Sequence, residues 1–204
     1  MIIHIHPENP EQRKVDQVIE VLRGGGVIIY PTDTVYGLGC DITNHKAVDR
    51  VYALKKVDRR KPMSILCQDL SHLSEYADSV STPAYRVMKR LLPGPYTFVL
   101  SASREVPRML LTRQRTVGIR VPDDPICQAL IRTLGRPILS TSIAAEPDEM
   151  VTDPRDLDDV WGKRVDLIVS GGPIVRAMST VVDLTGDEPQ VLREGKGDVS
   201  LFSS

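Results

Sequence analysis

The sequence offers little on which to stack nucleic-acid bases. Aromatic residues make up 4% of the 204 positions, with one tryptophan and two phenylalanines, so single-strand readout by base stacking has little to build on. Cysteine is scarce as well. Cys40, Cys67 and Cys127 are an odd number at wide spacing, which argues against a disulfide framework and for a reducing compartment. No apolar run approaches the ~20 residues of a membrane span. The first ten residues, MIIHIHPENP, lack the basic flank and long apolar core of a signal peptide. A cytoplasmic protein without a membrane partner is therefore expected. Several catalytic signatures are missing too. His4, His6, His45 and His72 follow neither HExxH nor Cys/His ligand spacing, so no metal site is expected. Walker A, GxGxxG and GxSxG motifs are all absent. Cys67 and Cys127 sit in apolar company and read as core residues.

What remains is an ordinary globular composition, 41% hydrophobic and 26% charged with net charge −1, of a size for one core. Charge is uneven along the chain. Residues 46–61 carry a net +5 and 86–120 a net +7, whereas 144–204 carry a net −7. Such asymmetry predicts a basic face for a polyanion, nucleotide phosphates or RNA.

The stretch VIIYPTDTVYGLGCDI, residues 27–42, organises the rest. Val27 to Tyr30 read as a buried strand that Pro31 stops. Thr32, Asp33 and Thr34 then place short polar side chains at the strand's C-terminal end, where α/β folds bind ligands. Gly37 and Gly39 predict a tight turn or a close backbone approach to a ligand. Around this stretch, strands are expected at 2–5, 63–67, 96–100, 117–121, 137–141, 167–169, 180–184 and 190–193. Helices are expected after Asn9-Pro10, Asn44, Leu70, Thr82-Pro83, Asp124-Pro125 and Asp153-Pro154. Helices and strands alternate over the first two thirds, and strands dominate after that. The pattern predicts one α/β domain over 1–204, with a sheet of mixed strand direction.

Hydroxyls and cations recur at the expected strand ends. Thr32 and Thr34 follow one strand, Thr116 and Arg120 bracket another, and Ser140, Thr141 and Ser142 end a third. Ser179, Thr180 and Arg193 sit on the last two. Such groups suit phosphates and carboxylates. If the strands are neighbours, these ends line one anion-binding cleft.

The segments PTDTVYGLG (31–39), PGPYTFVL (93–100), TVGIRVP (116–122), STS (140–142), STVVDL (179–184) and VLREG (191–195) resemble, in order and over nearly the whole chain, the YrdC-like family. That resemblance implies a twisted mixed parallel/antiparallel α/β sheet with flanking helices around a large basic cavity. It also implies an L-threonylcarbamoyl-AMP synthase activity, joining L-threonine, bicarbonate and ATP with release of pyrophosphate, for threonylcarbamoyladenosine modification of tRNA. Thr32, Arg120 and Ser179 would then hold threonine, with Arg120 on its carboxylate. Lys55, Thr116, Ser140, Ser142 and Arg193 would hold ATP, with Mg²⁺ accompanying it. Lys55 and Arg120 would carry the catalysis, chiefly by positioning and charge neutralisation.

Four positions depart from the synthase pattern. Val57 stands for an arginine, Leu66 for a histidine, Ala144 for an asparagine and Met150 for a serine. With the segment MSILCQDLS they make the chain most similar to the YciO branch. Two alternatives stay open beside a weak synthase. One is a double-stranded RNA- or tRNA-binding protein on the same scaffold. The other is a nucleotide or carbamoyl enzyme with a different substrate.

Overall fold

The computed structural model describes residues 1–57, 63–107, 110–111, 114–143, 153–174 and 177–202. Ten strands among them form one sheet in the order β1-β8-β2-β3-β7-β4-β6-β5-β9-β10. They are β1 (Ile2–His4), β2 (Ile28–Tyr30), β3 (Gly37–Asp41), β4 (Ser64–Leu66), β5 (Tyr96–Ser101), β6 (Thr116–Arg120), β7 (Ile138–Ser142), β8 (Leu167–Ser170), β9 (Thr180–Asp183) and β10 (Gln190–Arg193). Pairing is parallel for β1–β8, β2–β8, β4–β6 and β5–β9, and antiparallel elsewhere. The expected mixed α/β sheet is thus present.

Helix α1 (Gln12–Arg23) buries Val15, Val18, Ile19 and Leu22 at helical spacing. It begins later than the Asn9-Pro10 signal predicts. The Glu8 and Asn9 amides donate to His6 Nδ1 at 3.2 and 3.1 Å, and the His6 amide donates to Glu11. His6 thus organises a turn that delays the helix. Helix α2 (His45–Lys55) is capped by Asn44, whose side chain accepts from the Ala47 amide at 3.0 Å. Helices α3 (Leu73–Tyr76) and α4 (Thr82–Leu91) follow, α4 being capped by Ser81 rather than started by Thr82. Helix α5 (Pro125–Leu134) starts at Asp124 and stops at Gly135, as expected. Helix α6 (Pro154–Trp161) is capped by Asp153.

One element departs from the reading of the sequence. GLGCD is a buried strand, β3, paired with β2 on one side and β7 on the other. Gly37 and Gly39 do approach something closely, but it is the protein itself. A Cβ on Gly39 would lie 2.4 Å from the Leu139 carbonyl and 2.9 Å from the Tyr30 ring, and one on Gly37 would lie 3.2 Å from that ring. The glycines therefore make room for Tyr30 inside the sheet.

The sheet separates two cores. One face packs Ile29, Leu38, Cys40, Ile65, Leu139, Ile119 and Phe98 with Val48 and Val51 of α2 and Met88 of α4. The other packs Ile28, Tyr30, Leu66 and Ile138 beneath α1 and α5. Cys40 and Cys67 belong to the first core and Cys127 to the second. Burial pushes the Cys40 and Cys67 thiols up to about 12 and Cys127 in the same direction, so they behave as small apolar residues.

Candidate functional site

Cross-strand partners share a face of a sheet, and residues two apart along a strand share it too. The registers Gly39↔Ser140, Ser64↔Ser140, Ser64↔Gly118, Val99↔Gly118, Thr97↔Val181 and Arg193↔Val181 therefore place one set of residues on one face. Ser140, Ser142, Ser64, Thr116, Gly118, Arg120, Thr97 and Arg193 all lie there, with Ser179 just before β9. This is the face that α1 and α5 cover over Ile28, Leu66 and Ile138. Beyond those helices it continues as hydroxyls, glycine and arginine, and Ser64, Thr116 and Ser142 are only half-buried. The candidate site is this polar half of the sheet face, beyond α1 and α5, on which Thr97, Arg120, Ser140 and Ser179 are buried. The sequence reading put Thr116, Arg120, Ser140, Ser142, Ser179 and Arg193 at strand ends, and the register makes them part of a floor. Thr141 and Thr180, placed with them by that reading, lie on the opposite face, because neighbouring residues of a strand point to opposite sides.

Along β6, Thr116 and Arg120 lie about 13 Å apart by strand rise, and they divide the floor into two groups. Around Arg120, the loop 31–36 between β2 and β3 folds over the sheet. Arg120 Nη2 donates to Asp33 Oδ1 at 2.8 Å and to Thr34 Oγ1 at 3.0 Å. The Thr32 and Thr34 hydroxyl oxygens are 3.0 Å apart, and Thr32 Oγ1 donates to the Val35 carbonyl at 2.7 Å. Ser179 shares a 2.8 Å hydrogen bond with Thr97. Arg193 donates to the Ser179 carbonyl at 2.9 Å and to its hydroxyl at 3.1 Å. Burial and the nearby Arg120 guanidinium hold Arg193 below the usual arginine range, as expected of two cations sharing one site. Two buried atoms here have no partner, Asp33 Oδ2 and Arg120 Nε. A buried acceptor and a buried donor within one ion pair favour a ligand with groups of both kinds.

In the second group, α2 brings Lys55 to the end of β7, where its ammonium donates to the Ile143 carbonyl at 3.0 Å. Ser142 precedes that carbonyl in the chain. Ser140 lies between the groups and accepts from the Tyr30 hydroxyl at 2.7 Å. The structure thus brings Thr32, Arg120 and Ser179 together, as the family resemblance implies. It seats Arg193 with them, not with Lys55 and Ser142. Three residues of this cluster carry no role in the sequence reading. Asp33 stands there only as one of three polar residues at a strand's ligand-binding end, Thr97 lies within the segment PGPYTFVL without a role of its own, and Lys196 belongs to no motif. Lys196 donates to the Asp33 carbonyl at 2.5 Å. Of the four departures, Val57 packs against the α2-side core and Leu66 is fully buried beneath α5. Ala144 and Met150 lie outside the described residues, as do Arg59, Arg60 and Lys61.

Asp124 stands beside this cluster. Its side chain accepts from the Cys127 amide at 2.7 Å and caps α5. Burial, followed by the Asp33 carboxylate, pushes its carboxyl up to about 6, against the cap bond. A folded-state value above the unfolded 3.8 means that the folded protein holds the proton more tightly. The stabilisation is complete below pH ~4 and is lost as pH rises through about 6. Asparagine caps a helix equally well without the charge. Asp124→Asn is therefore expected to raise stability at pH 7.5 by about 2 kcal/mol and to flatten the pH dependence between 4 and 7. Urea unfolding across that range checks it, and an unchanged slope refutes it.

The expected basic face is partly neutralised, since Arg50 of the basic stretch pairs with Asp166 of the acidic one. Among the described residues no group of three or more His, Cys, Asp or Glu could hold a metal ion. No helix there is long and apolar enough to cross a membrane.

The family model described as Telomere recombination, Sua5_yciO_yrdC, matches residues 20–195. The chain is 46% identical to the Escherichia coli K12 protein YciO over 201 residues, 98% of this chain and 97% of that one. It is 30% identical to the threonylcarbamoyl-AMP synthase of Coxiella burnetii over 177 residues, 86% and 95% of the two chains. The crystal structure of E. coli YciO superposes with TM-score 0.94 at 44% identity, covering 100% and 99%. That of P. abyssi Sua5 complexed with L-threonine superposes with TM-score 0.91 at 30% identity, covering 98% of this chain and 59% of that one. A sheet of this order with its polar half-face, and these matches over nearly the full length, make the chain a member of the Sua5/YciO/YrdC family.

Proposed function

We propose that the polar half-face binds L-threonine, bicarbonate and ATP and forms L-threonylcarbamoyl-adenylate with release of pyrophosphate, for threonylcarbamoyladenosine modification of tRNA. The observation that carries this is the Arg120–Asp33 pair with its two unpartnered buried atoms. A zwitterionic amino acid matches it. The α-carboxylate accepts from Arg120 Nε, and the α-amine donates to Asp33 Oδ2. The Thr34 hydroxyl accepts from Arg120 and meets that of Thr32, and the Ser179 hydroxyl accepts from Arg193 in the same group. The second group supplies neutral and cationic donors for a nucleotide. Lys55 faces its phosphates, and Thr116, Ser140 and Ser142 offer hydroxyls. Mg²⁺ enters as the counterion of ATP and offsets its phosphate charge.

No side chain in this cleft needs to become covalently attached to substrate. The chain's part is to hold the carbamate oxygen and the α-phosphorus at reacting distance and to neutralise charge as that oxygen attacks and pyrophosphate leaves. The relatives named threonylcarbamoyl-AMP synthase, and the neighbour solved with L-threonine, support the same reading.

Mass-spectrometric detection of threonylcarbamoyl-AMP from threonine, bicarbonate and Mg-ATP tests it. Product is expected from the wild type and none from the paired variant Arg120→Met with Asp33→Leu. Absence of product and pyrophosphate from folded wild-type protein at any enzyme concentration sinks the reading.

A further inference from the structure

Lys196 lies in the acidic C-terminal third of the sequence. After β10 the chain turns back as a strap, residues 194–198, laid flat on the starts of β5 and β9. The Gly195 amide donates to Thr180 Oγ1 at 3.0 Å, and that hydroxyl donates to the Gly197 carbonyl at 2.7 Å. The Lys196 amide donates to the Met178 carbonyl at 2.8 Å. A Cβ on Gly195 would lie 2.4 Å from the Met178 carbonyl oxygen, and one on Gly197 2.4 Å from the Tyr96 ring. The strap backbone is thereby fixed, and the exposed Lys196 side chain leaves it toward the site. Its ammonium crosses to the loop 31–36 and donates to the Asp33 carbonyl, a neutral acceptor.

The charges at this end of the cleft do not balance. Arg120, Arg193 and Lys196 bring three cations. The Asp33 carboxylate is committed to Arg120, and Arg193 rests on the carbonyl and hydroxyl of Ser179. Asp124 also lies nearby, and burial favours its neutral form. The strap's own Glu194 and Asp198 are exposed, and Asp198 accepts from the amide and hydroxyl of Ser200. An amino-acid zwitterion brings one carboxylate and one ammonium, so it leaves the positive excess in place. A second small oxyanion beside the amino acid would remove it.

We propose that Lys196 binds that oxyanion, first as bicarbonate and then as the carboxylate newly formed on the substrate amine. This rests on the amino-acid reading of the site given above. The step balances as an ammonium plus bicarbonate giving an N-carboxylate, water and a proton. The N–C bond forms, one C–O bond of bicarbonate breaks, and the proton leaves to solvent. Lys196 leaves the neutral Asp33 carbonyl for the charged oxygen, a stronger hydrogen bond.

Calorimetric titration with L-threonine, in bicarbonate and in chloride at equal ionic strength, tests this on wild type, Lys196→Gln and Lys196→Arg. Bicarbonate is expected to tighten threonine binding to the wild type. Lys196→Gln should lose about tenfold of that coupling, ~1.4 kcal/mol, while threonine binding in chloride stays within about twofold. Lys196→Arg should keep most of it, which a merely structural role of the side chain would not require. In the synthase assay the same Gln variant should raise KM for bicarbonate and leave KM for ATP unchanged. Equal coupling in wild type and Lys196→Gln overturns the proposal, as does a rise confined to KM for ATP, which would place the lysine on a phosphate instead. Coupling in a wild type that makes no adenylate leaves Lys196 assigned and sinks the synthase reading. Adenylate formation without coupling does the reverse.

Discussion

Arg120→Ala is expected to lower the unfolding free energy by about 3–5 kcal/mol and to eliminate threonine binding. The side chains of Arg120 and Asp33 are 10% and 5% exposed. Asp33 Oδ2 already has no partner, so loss of the arginine strands a whole carboxylate in a dry site. Removing one member of a buried pair leaves the cost of the other's desolvation uncompensated. Thr34 also loses the cation that donates to its hydroxyl. The paired change Arg120→Met with Asp33→Leu removes both charges, and apolar groups of similar size recover most of the stability. It recovers none of the binding. Urea unfolding and threonine calorimetry on the two variants thus separate what the pair does for the fold from what it does for the ligand. A single alanine variant within 1 kcal/mol of the wild type, by order of magnitude, would falsify the buried-pair description.

Gly39→Ala is the second large effect, and its cause is wholly steric. The added carbon meets the Leu139 carbonyl at 2.4 Å, Tyr30 Cε1 at 2.9 Å and Ile138 Cγ2 at 3.0 Å. None of these is the loose end of a flexible side chain. Leu139 and Ile138 belong to β7, which β3 pairs residue by residue, and the Tyr30 ring is fully buried. Relief requires either parting β3 from β7 or moving Tyr30 off Ser140. Overpacking of this kind costs about 3 kcal/mol, so a clear fall in urea midpoint with unchanged m-value is expected. The same displacement disturbs Ser140 on the site floor. Activity per folded molecule should fall along with stability, which a purely remote lesion would not produce. A midpoint equal to that of the wild type would contradict the packing described for the Tyr30 ring.

Most elements were legible because local chemistry and tertiary structure agree. Asn44, Asp124 and Asp153 cap helices where short polar residues before apolar periodicity predict it. β3 was not legible, since glycine at alternate positions looks like a turn and only the Tyr30 ring, packed against those glycines, explains it. The site was legible in its residue types, because hydroxyls and arginines in strand-like segments are unusual in a buried sheet. Its geometry was not. Whether Ser64, Ser140, Gly118 and Thr97 share a face depends on the pairing register of strands far apart in sequence, and a shift of one residue reverses it. Asp33 was legible as a polar residue at a strand's ligand-binding end, but its specific role appears only with Arg120 opposite. Lys196 escaped because it lies in a stretch of net negative charge, outside the basic segments.

The strand order bears on when the molecule can first work. β8 lies between β1 and β2, and β9 joins the far side of β5. The last third of the chain therefore supplies an interior strand near one margin of the sheet and two strands at the other. Ser179, Arg193 and Lys196 arrive with it. A chain still emerging from the ribosome has Thr32, Asp33 and Arg120 in hand but no strand to seat between β1 and β2. Pairings this distant in sequence form late and slowly. The cleft should become competent only after synthesis is nearly finished, and until then the β2 edge stands open to improper partners.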